Sequence, residues 1–191
     1  SNYPQHSLMK LSHFHIPLQS GCDQVLREMR RRYLTPLYRH RVERIRELMP
    51  HACIGADVIV GFPTETDEYF RQSYDFIESL DLSYLHVFTY SERENTPAAE
   101  MGMSVPPAVR AARSRALHRL GEKKRAAFYL RHQGQVREVL LESENKEGWM
   151  FGFTDNYIKV RLPYDPHLVG TLQAVRLGSQ VEDGLLDASL L

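Results

Sequence analysis

The run Cys53-Ile-Gly-Ala-Asp-Val-Ile-Val60 most constrains how this chain folds. Eight residues that are apolar or small apart from Asp57, closed by Gly61-Phe62-Pro63, predict a buried strand. Upstream, Thr35-Pro36 predicts a helix start, threonine as N-cap and proline at the first helical position. Tyr38, Val42, Ile45 and Met49 form its apolar stripe, and Pro50 ends it. Downstream, Thr64 or Thr66 caps a second helix, with Phe70, Tyr74, Ile77 and Leu80 at helical spacing. A strand follows over Tyr84–Tyr90. Before all of these, residues 12–19 predict a short strand ending at Ser20-Gly21, and a helix runs from Asp23 to Tyr33. Strands alternating with helices predict an α/β unit with parallel strands.

The pattern changes along the chain. Glu92 to Pro107 is polar and proline-rich and predicts a loop. A long helix over Ala108–His132 carries Arg110, Arg113, Arg115, Arg119, Lys123, Lys124 and Arg125 against only Glu122. After about Gly134, short β-rich runs (136–141, 149–153, 157–162, 171–177, 184–190) are separated by Gly, Asn, Asp and Pro turns. That spacing predicts a small OB-like β-barrel. The boundary is expected near residue 130, giving domains 1–130 and 131–191.

Composition narrows the function classes. No run approaches eighteen apolar residues, so no transmembrane helix is expected. The start, Ser1-Asn2-Tyr3-Pro4, lacks the pattern of a secretory signal. The two cysteines, Cys22 and Cys53, have no motif spacing, which points to a reducing, cytoplasmic location. Two isolated cysteines also fall short of a three-cysteine cluster site. Residues 1–126 hold 18 Lys and Arg against 15 Asp and Glu, and residues 127–191 hold 6 against 9. Neither part is basic enough to bind nucleic acid by charge alone.

Three polar residues stand out in the α/β part: Gln19 after the first strand, Arg31 on the helix that follows, and Asp57 inside the buried strand. Ligands of parallel α/β folds bind at the carboxyl ends of strands. An unpaired aspartate in such a strand costs several kcal/mol, on the order given for buried charges. Asp57 is therefore expected to hold a ligand or a partner. For Arg31 the bland reading is a solvated charge run with Arg30 and Arg32, and for Gln19 a turn cap. His13 and His15 are read as interior or rim residues, since their spacing alone is poor support for a metal, and no metal site is expected.

Together these segments reach a family. His15-Ile-Pro-Leu-Gln-Ser-Gly21, Asp23-x-Val-Leu-x-x-Met29-x-Arg31, Asp57-Val-Ile-Val-Gly-Phe-Pro63-x-Glu65-Thr66 and Tyr90-Ser-x-Arg93-x-x-Thr96-Pro97 resemble the second half of the radical S-adenosylmethionine (SAM) domain of the methylthiotransferases. Gly152-Phe-Thr-Asp-Asn-Tyr157-Ile-Lys-Val160 resembles the TRAM domain that ends those enzymes. The resemblance implies half of a radical SAM α/β barrel followed by an OB-like TRAM barrel. It also implies a SAM-binding set of Gln19, Arg31 and Asp57. An arginine fork suits the methionyl carboxylate, and a carboxylate and an amide suit the ammonium or the ribose hydroxyls.

The intact family uses SAM and two 4Fe–4S clusters. Its Cys-x-x-x-Cys-x-x-Cys motif lies upstream of the His-Ile-Pro-Leu-Gln segment, so this chain is expected to hold no cluster, to carry no catalytic residue of its own, and to be inactive alone. The resemblance further implies contact with a tRNA anticodon stem-loop through Asn156, Tyr157, Lys159 and Arg161, with Trp149 and Phe151 either beside them or in the barrel core. The basic helix, with Arg113, Lys123 and Lys124, is the expected phosphate anchor, set against a plain solvated surface. The Thr-Asp-Asn-Tyr-Ile-Lys-Val stretch and Arg30-Arg31-Arg32-Tyr33 look most like the branch that methylthiolates threonylcarbamoyladenosine. The alternatives are the isopentenyladenosine branch, the ribosomal-protein branch, and a non-catalytic RNA-binding protein. An unpaired barrel edge is expected to favour dimers or strand exchange.

Overall fold

The computed structural model describes residues 12–91, 104–181 and 184–191. They fall into two compact units, one of residues 14–125 and one of residues 126–191 with Ser12 and His13. Arg93, Thr96 and Pro97 of the family-like segment lie outside the described residues.

The first unit alternates strands and helices: β1 (His13–His15), α1 (Asp23–Glu28), α2 (Thr35–Leu48), β2 (Cys53–Val60), α3 (Asp67–Ser79), β3 (Tyr84–Thr89) and most of α4 (Pro107–His132). The sheet order is β1-β2-β3, and β2 pairs with β3 in parallel, Asp57 opposite His86. β2 is the central strand, which is why its residues are apolar: Ile54, Ala56, Val58 and Val60 are buried with Leu18, Val42, Ile77 and Leu117. The Thr66 hydroxyl caps α3 by accepting from the Tyr69 N–H at 3.2 Å.

Two local expectations change. The helix expected over Asp23–Tyr33 ends at Glu28, so Arg31 follows the helix rather than riding on it. Arg30 takes a left-handed φ of 56°. The Arg30 and Arg31 N–H groups then donate to the carbonyls of Arg27 and Leu26, both at 2.9 Å, as in a Schellman stop. No glycine marks this stop. Second, Thr35 is the first helical residue of α2, not its cap. The Asp23 carboxylate from the start of α1 accepts the Thr35 N–H at 2.8 Å instead.

The second unit is a closed five-stranded barrel, β4 (Val136–Leu141), β5 (Trp149–Thr154), β6 (Lys159–Pro163), β7 (Leu172–Gln180) and β8 (Leu186–Leu190), in the order β4-β5-β6-β8-β7. β6 and β8 run in parallel and the other pairs are antiparallel. Along β5, Met150, Gly152 and Thr154 are buried and point to the interior. Pleating therefore turns Trp149, Phe151 and Phe153 to the outer face. Gly152 is required there, since a Cβ would lie 2.4 Å from the Leu140 carbonyl oxygen.

Candidate functional site

In the first unit, polar groups gather on one face of the sheet around Asp57. Its side chain is 23% exposed. Asp57 Oδ1 lies 2.8 Å from His15 Nε2 and 3.4 Å from His86 Nδ1. His15 Nδ1 lies 3.0 Å from the Tyr84 hydroxyl. Three adjacent strands thus contribute one titratable side chain each. Glycine at position 55 makes room for the tyrosine, because a Cβ there would sit 2.1 Å from the Tyr84 ring. Tyr38 lies beneath, its hydroxyl donating to the Ile16 carbonyl at 2.6 Å. Burial pushes that phenol above its ordinary range, with Tyr33 and Asp57 adding to the effect.

Gln19 joins this group through the backbone. Its N–H donates to the Asp57 carbonyl at 2.8 Å, and its own carbonyl accepts from Ile59 at 2.8 Å. Its φ of 73° is left-handed, so the chain turns sharply at Gln19 as it leaves the sheet edge. Arg31 is exposed. Two residues on, the Tyr33 hydroxyl donates to the Pro17 and Leu18 carbonyls, both at 3.1 Å. Burial raises the Tyr33 phenol pKa, and the charge of Arg31 opposes that rise. The structure thus brings Gln19 and Asp57 together through the backbone, while Arg31 is exposed near Tyr33.

The two cysteines do not fit an iron–sulfur cluster. Both are buried, Cys22 with Val25 and Phe62, and Cys53 in β2. Burial pushes the Cys53 thiol up to about 12. Both act as small apolar packing groups.

Of the expected phosphate-contacting cations, Arg113 is corrected. It is 6% exposed, and its guanidinium donates to Glu65 Oε1 at 2.8 Å, the Glu65 carbonyl at 2.9 Å and Asp67 Oδ1 at 2.7 Å. It braces the turn before α3, so no phosphate reaches it. Lys124 is also engaged, donating to the carbonyls of Leu80 at 2.7 Å and Glu78 at 3.1 Å, and burial lowers its pKa to about 8. Lys123 stays exposed with Arg115 and Arg119. Those three recur every four residues and so share one face of α4.

In the barrel unit, Asn156 is fully buried and its Oδ1 accepts from the Thr154 hydroxyl at 2.6 Å. It shapes the turn between β5 and β6 rather than meeting a ligand, which corrects its expected RNA contact. The other three residues cluster on the outer face. Tyr157, 40% exposed, stacks between His13 at 4.2 Å and Phe153 at 4.9 Å. Lys159 Nζ lies 5.4 Å from the Phe151 ring centre and 5.8 Å from that of Phe153. Arg161 lies 4.3 Å over Trp149 and pairs with Asp187 at 2.7 Å. Alternation puts Trp149 and Phe151 on this face too, Trp149 half-buried and Phe151 buried at 8% exposure.

Sequence reasoning missed His86, Tyr84 and Phe153. Alternation along β3 was the available signal, since it puts Tyr84 and His86 on the same face of the sheet. Alternation along β5 likewise joins Phe153 to Trp149.

The chain is similar to methylthiotransferases along most of its length. It is 37% identical over 171 residues to a threonylcarbamoyladenosine tRNA methylthiotransferase of Bacillus subtilis, covering 87% of this chain and 38% of that protein. A protein of the same name from Rickettsia prowazekii is 41% identical over 152 residues, 80% of this chain and 35% of its own. A tRNA-2-methylthio-N(6)-dimethylallyladenosine synthase of Bacillus subtilis is 34% identical over 183 residues, 95% of this chain and 36% of its own. The chain thus spans little more than a third of the length of these relatives. No family profile matches it. No helix among the described residues is long and apolar enough to cross a membrane.

Proposed function

We propose, from the premise that the chain belongs to the methylthiotransferase family, that it is the reactant-holding portion of a cytoplasmic tRNA methylthiotransferase acting on threonylcarbamoyladenosine beside the anticodon. One observation carries the reading: similarity to proteins of that name covers 80–87% of the chain, enough to span both compact units. The dimethylallyladenosine synthase, alike over a still longer stretch, supports a second reading in which the modified base is that adenosine.

In this reading Gln19, Arg31 and Asp57 hold SAM, the guanidinium taking the methionyl carboxylate and the amide and carboxylate taking the ammonium or ribose. When bound in the intact enzyme, iron–sulfur clusters supply the electron that cleaves SAM. This chain offers no ligands for them among its described residues, so it binds but does not turn over. Methylthiolated tRNA formed by the isolated chain after cluster reconstitution overturns that point.

The barrel face takes the RNA. Tyr157 presents the half-exposed edge of a ring whose faces are held by His13 and Phe153, while Lys159 and Arg161 bring positive charge to this aromatic surface. The cation row Arg115, Arg119 and Lys123 suits a phosphate backbone. The sheet edges left by a three-stranded half-barrel favour self-association at high concentration.

Fluorescence anisotropy with an anticodon stem-loop tests the RNA role. Each lost phosphate contact lowers the salt slope of binding by about 1, so Lys159→Ala and Arg161→Ala are each expected to bind more weakly and with a slope shallower by about that amount. Binding and salt slope equal to wild type in the Lys159→Ala and Arg161→Ala variants overturns the barrel face as the RNA platform. Loss of SAM binding in Asp57→Ala, read by calorimetry, tests the cofactor wall separately.

A further inference from the structure

We propose that His15, Asp57 and His86 form a site for one divalent transition-metal ion of the zinc or cobalt type. Each side chain offers one ligand atom, two imidazole nitrogens and one carboxylate oxygen, and these atoms all lie within 4.8 Å of one another. No other group of three or more such ligands is found among the described residues. Two histidines and a carboxylate favour zinc, cobalt, nickel or iron(II) over magnesium or calcium, which take oxygen ligands.

The spacing already approaches that of a bound ion. Ligands about 2.0–2.2 Å from a tetrahedral zinc stand about 3.3–3.5 Å apart. His86 Nδ1 is 3.4 Å from Asp57 Oδ1. His15 Nε2 is closer, at 2.8 Å, a hydrogen-bond distance. An entering ion takes the place of the Nε2 proton, and the neutral ring then carries its proton on Nδ1, where the Tyr84 hydroxyl accepts it.

The support around the ligands is that of a metal site. A ligating histidine normally gives its second ring nitrogen to an outer partner that fixes its tautomer. Here the Tyr84 hydroxyl takes that position, 3.0 Å from His15 Nδ1. Tyr84 is opposite Gly55 in the sheet register, and its ring fills the space that any larger residue at 55 occupies. The three ligands stand on three neighbouring strands, β1, β2 and β3, so the sheet holds them before any ion arrives. The side chains of His15 and His86 remain 33% and 54% exposed, leaving a path in and open coordination positions.

The site stands on this geometry and not on the SAM reading. It shares Asp57 with that reading, so an ion and SAM compete for the carboxylate.

The test uses the 191-residue chain freed of metal, titrated with Zn(II) by calorimetry and with Co(II) by visible absorption. One equivalent is expected to bind, with no sulfur-to-cobalt charge-transfer band, because both cysteines are buried. His86→Ala and His15→Ala are each expected to weaken binding at least tenfold. Tyr84→Phe keeps the stoichiometry and weakens affinity about tenfold, the lower end for an outer partner. His118→Ala, an exposed histidine on α4, leaves binding unchanged. Circular dichroism confirms that each variant folds, and His86 is exposed enough to be replaced without loss of packing. Absence of one-equivalent binding, or full affinity in the His15→Ala/His86→Ala double variant, overturns the proposal. Because His86 is not among the SAM residues, SAM affinity kept in His86→Ala but lost in Asp57→Ala separates the fate of this site from that of the cofactor wall.

Discussion

Replacing Arg113 by methionine is expected to destabilise the first unit severely, although the residue sits in a helix that reads as a basic surface. The Glu65 side chain is 1% exposed, and its carboxylate accepts from the Gly61 N–H at 2.8 Å and from Arg113 at 2.8 Å. Methionine keeps the bulk but leaves Glu65 buried with one hydrogen bond. Removing one partner of a buried ion pair costs about 3–5 kcal/mol. Against a typical domain stability of about 5–15 kcal/mol, that is a large share. With an m-value of about 2 kcal/mol/M, the urea midpoint should fall by about 2 M.

The double variant Glu65→Gln/Arg113→Met should recover part of the loss, since no charge is then left buried. The pH dependence gives a second handle. Burial raises the Glu65 pKa, against the opposing effects of the Gly61 N–H and Arg113. Between its unfolded and folded pKa values the native state therefore binds more protons than the unfolded chain. This group's contribution is fully present below the unfolded value and is lost as pH rises through the folded one. Without Arg113 the folded value climbs further, so the variant's deficit should shrink as pH is lowered from neutrality. A midpoint shift below about 0.5 M, or a deficit independent of pH, refutes the reasoning.

Three further outcomes are expected. Gly152→Ala should cost the barrel about 1–3 kcal/mol, the usual penalty of overpacking, because the new methyl meets the Leu140 carbonyl oxygen at 2.4 Å; an unchanged thermal midpoint contradicts this. Cys22 and Cys53 should resist a thiol reagent at pH 8 until the chain is unfolded, given their burial and the Cys53 thiol pushed up to about 12; rapid modification of the native chain would count against it. The Lys124 pKa is lowered to about 8, so the unfolded chain binds the extra proton between about 8 and the ordinary lysine value of 10.5. Lys124 thus favours folding above that window and loses this contribution as pH falls through 8, giving wild type a rise in stability across it that Lys124→Met lacks.

What sequence alone determined are the features in which a local pattern is also the global answer. Cys53–Val60 is a strand over the very residues its apolar, β-branched run marks, because a central parallel strand must be apolar on both faces. The helices around it and the five short barrel strands followed from period and turn residues in the same way. The tertiary structure decided whatever depends on partners distant along the chain. α1 stops five residues short of Tyr33 because Arg30 adopts a left-handed turn with no glycine to announce it. Arg113 reads as one cation among seven, and only the fold brings Glu65 and Asp67 against it. Trp149 and Phe151 read equally as core or surface, and the pleat of β5 that sends Met150 inward puts both on the other face, where Phe151 is still buried. His13 and His15 are adjacent alternate residues, yet one stacks on Tyr157 and the other meets Asp57. Most of all, His15, Asp57 and His86 lie tens of residues apart and become neighbours only because three strands align side by side. Periodicity records which face a residue takes, but the partners it meets there are set by the sheet.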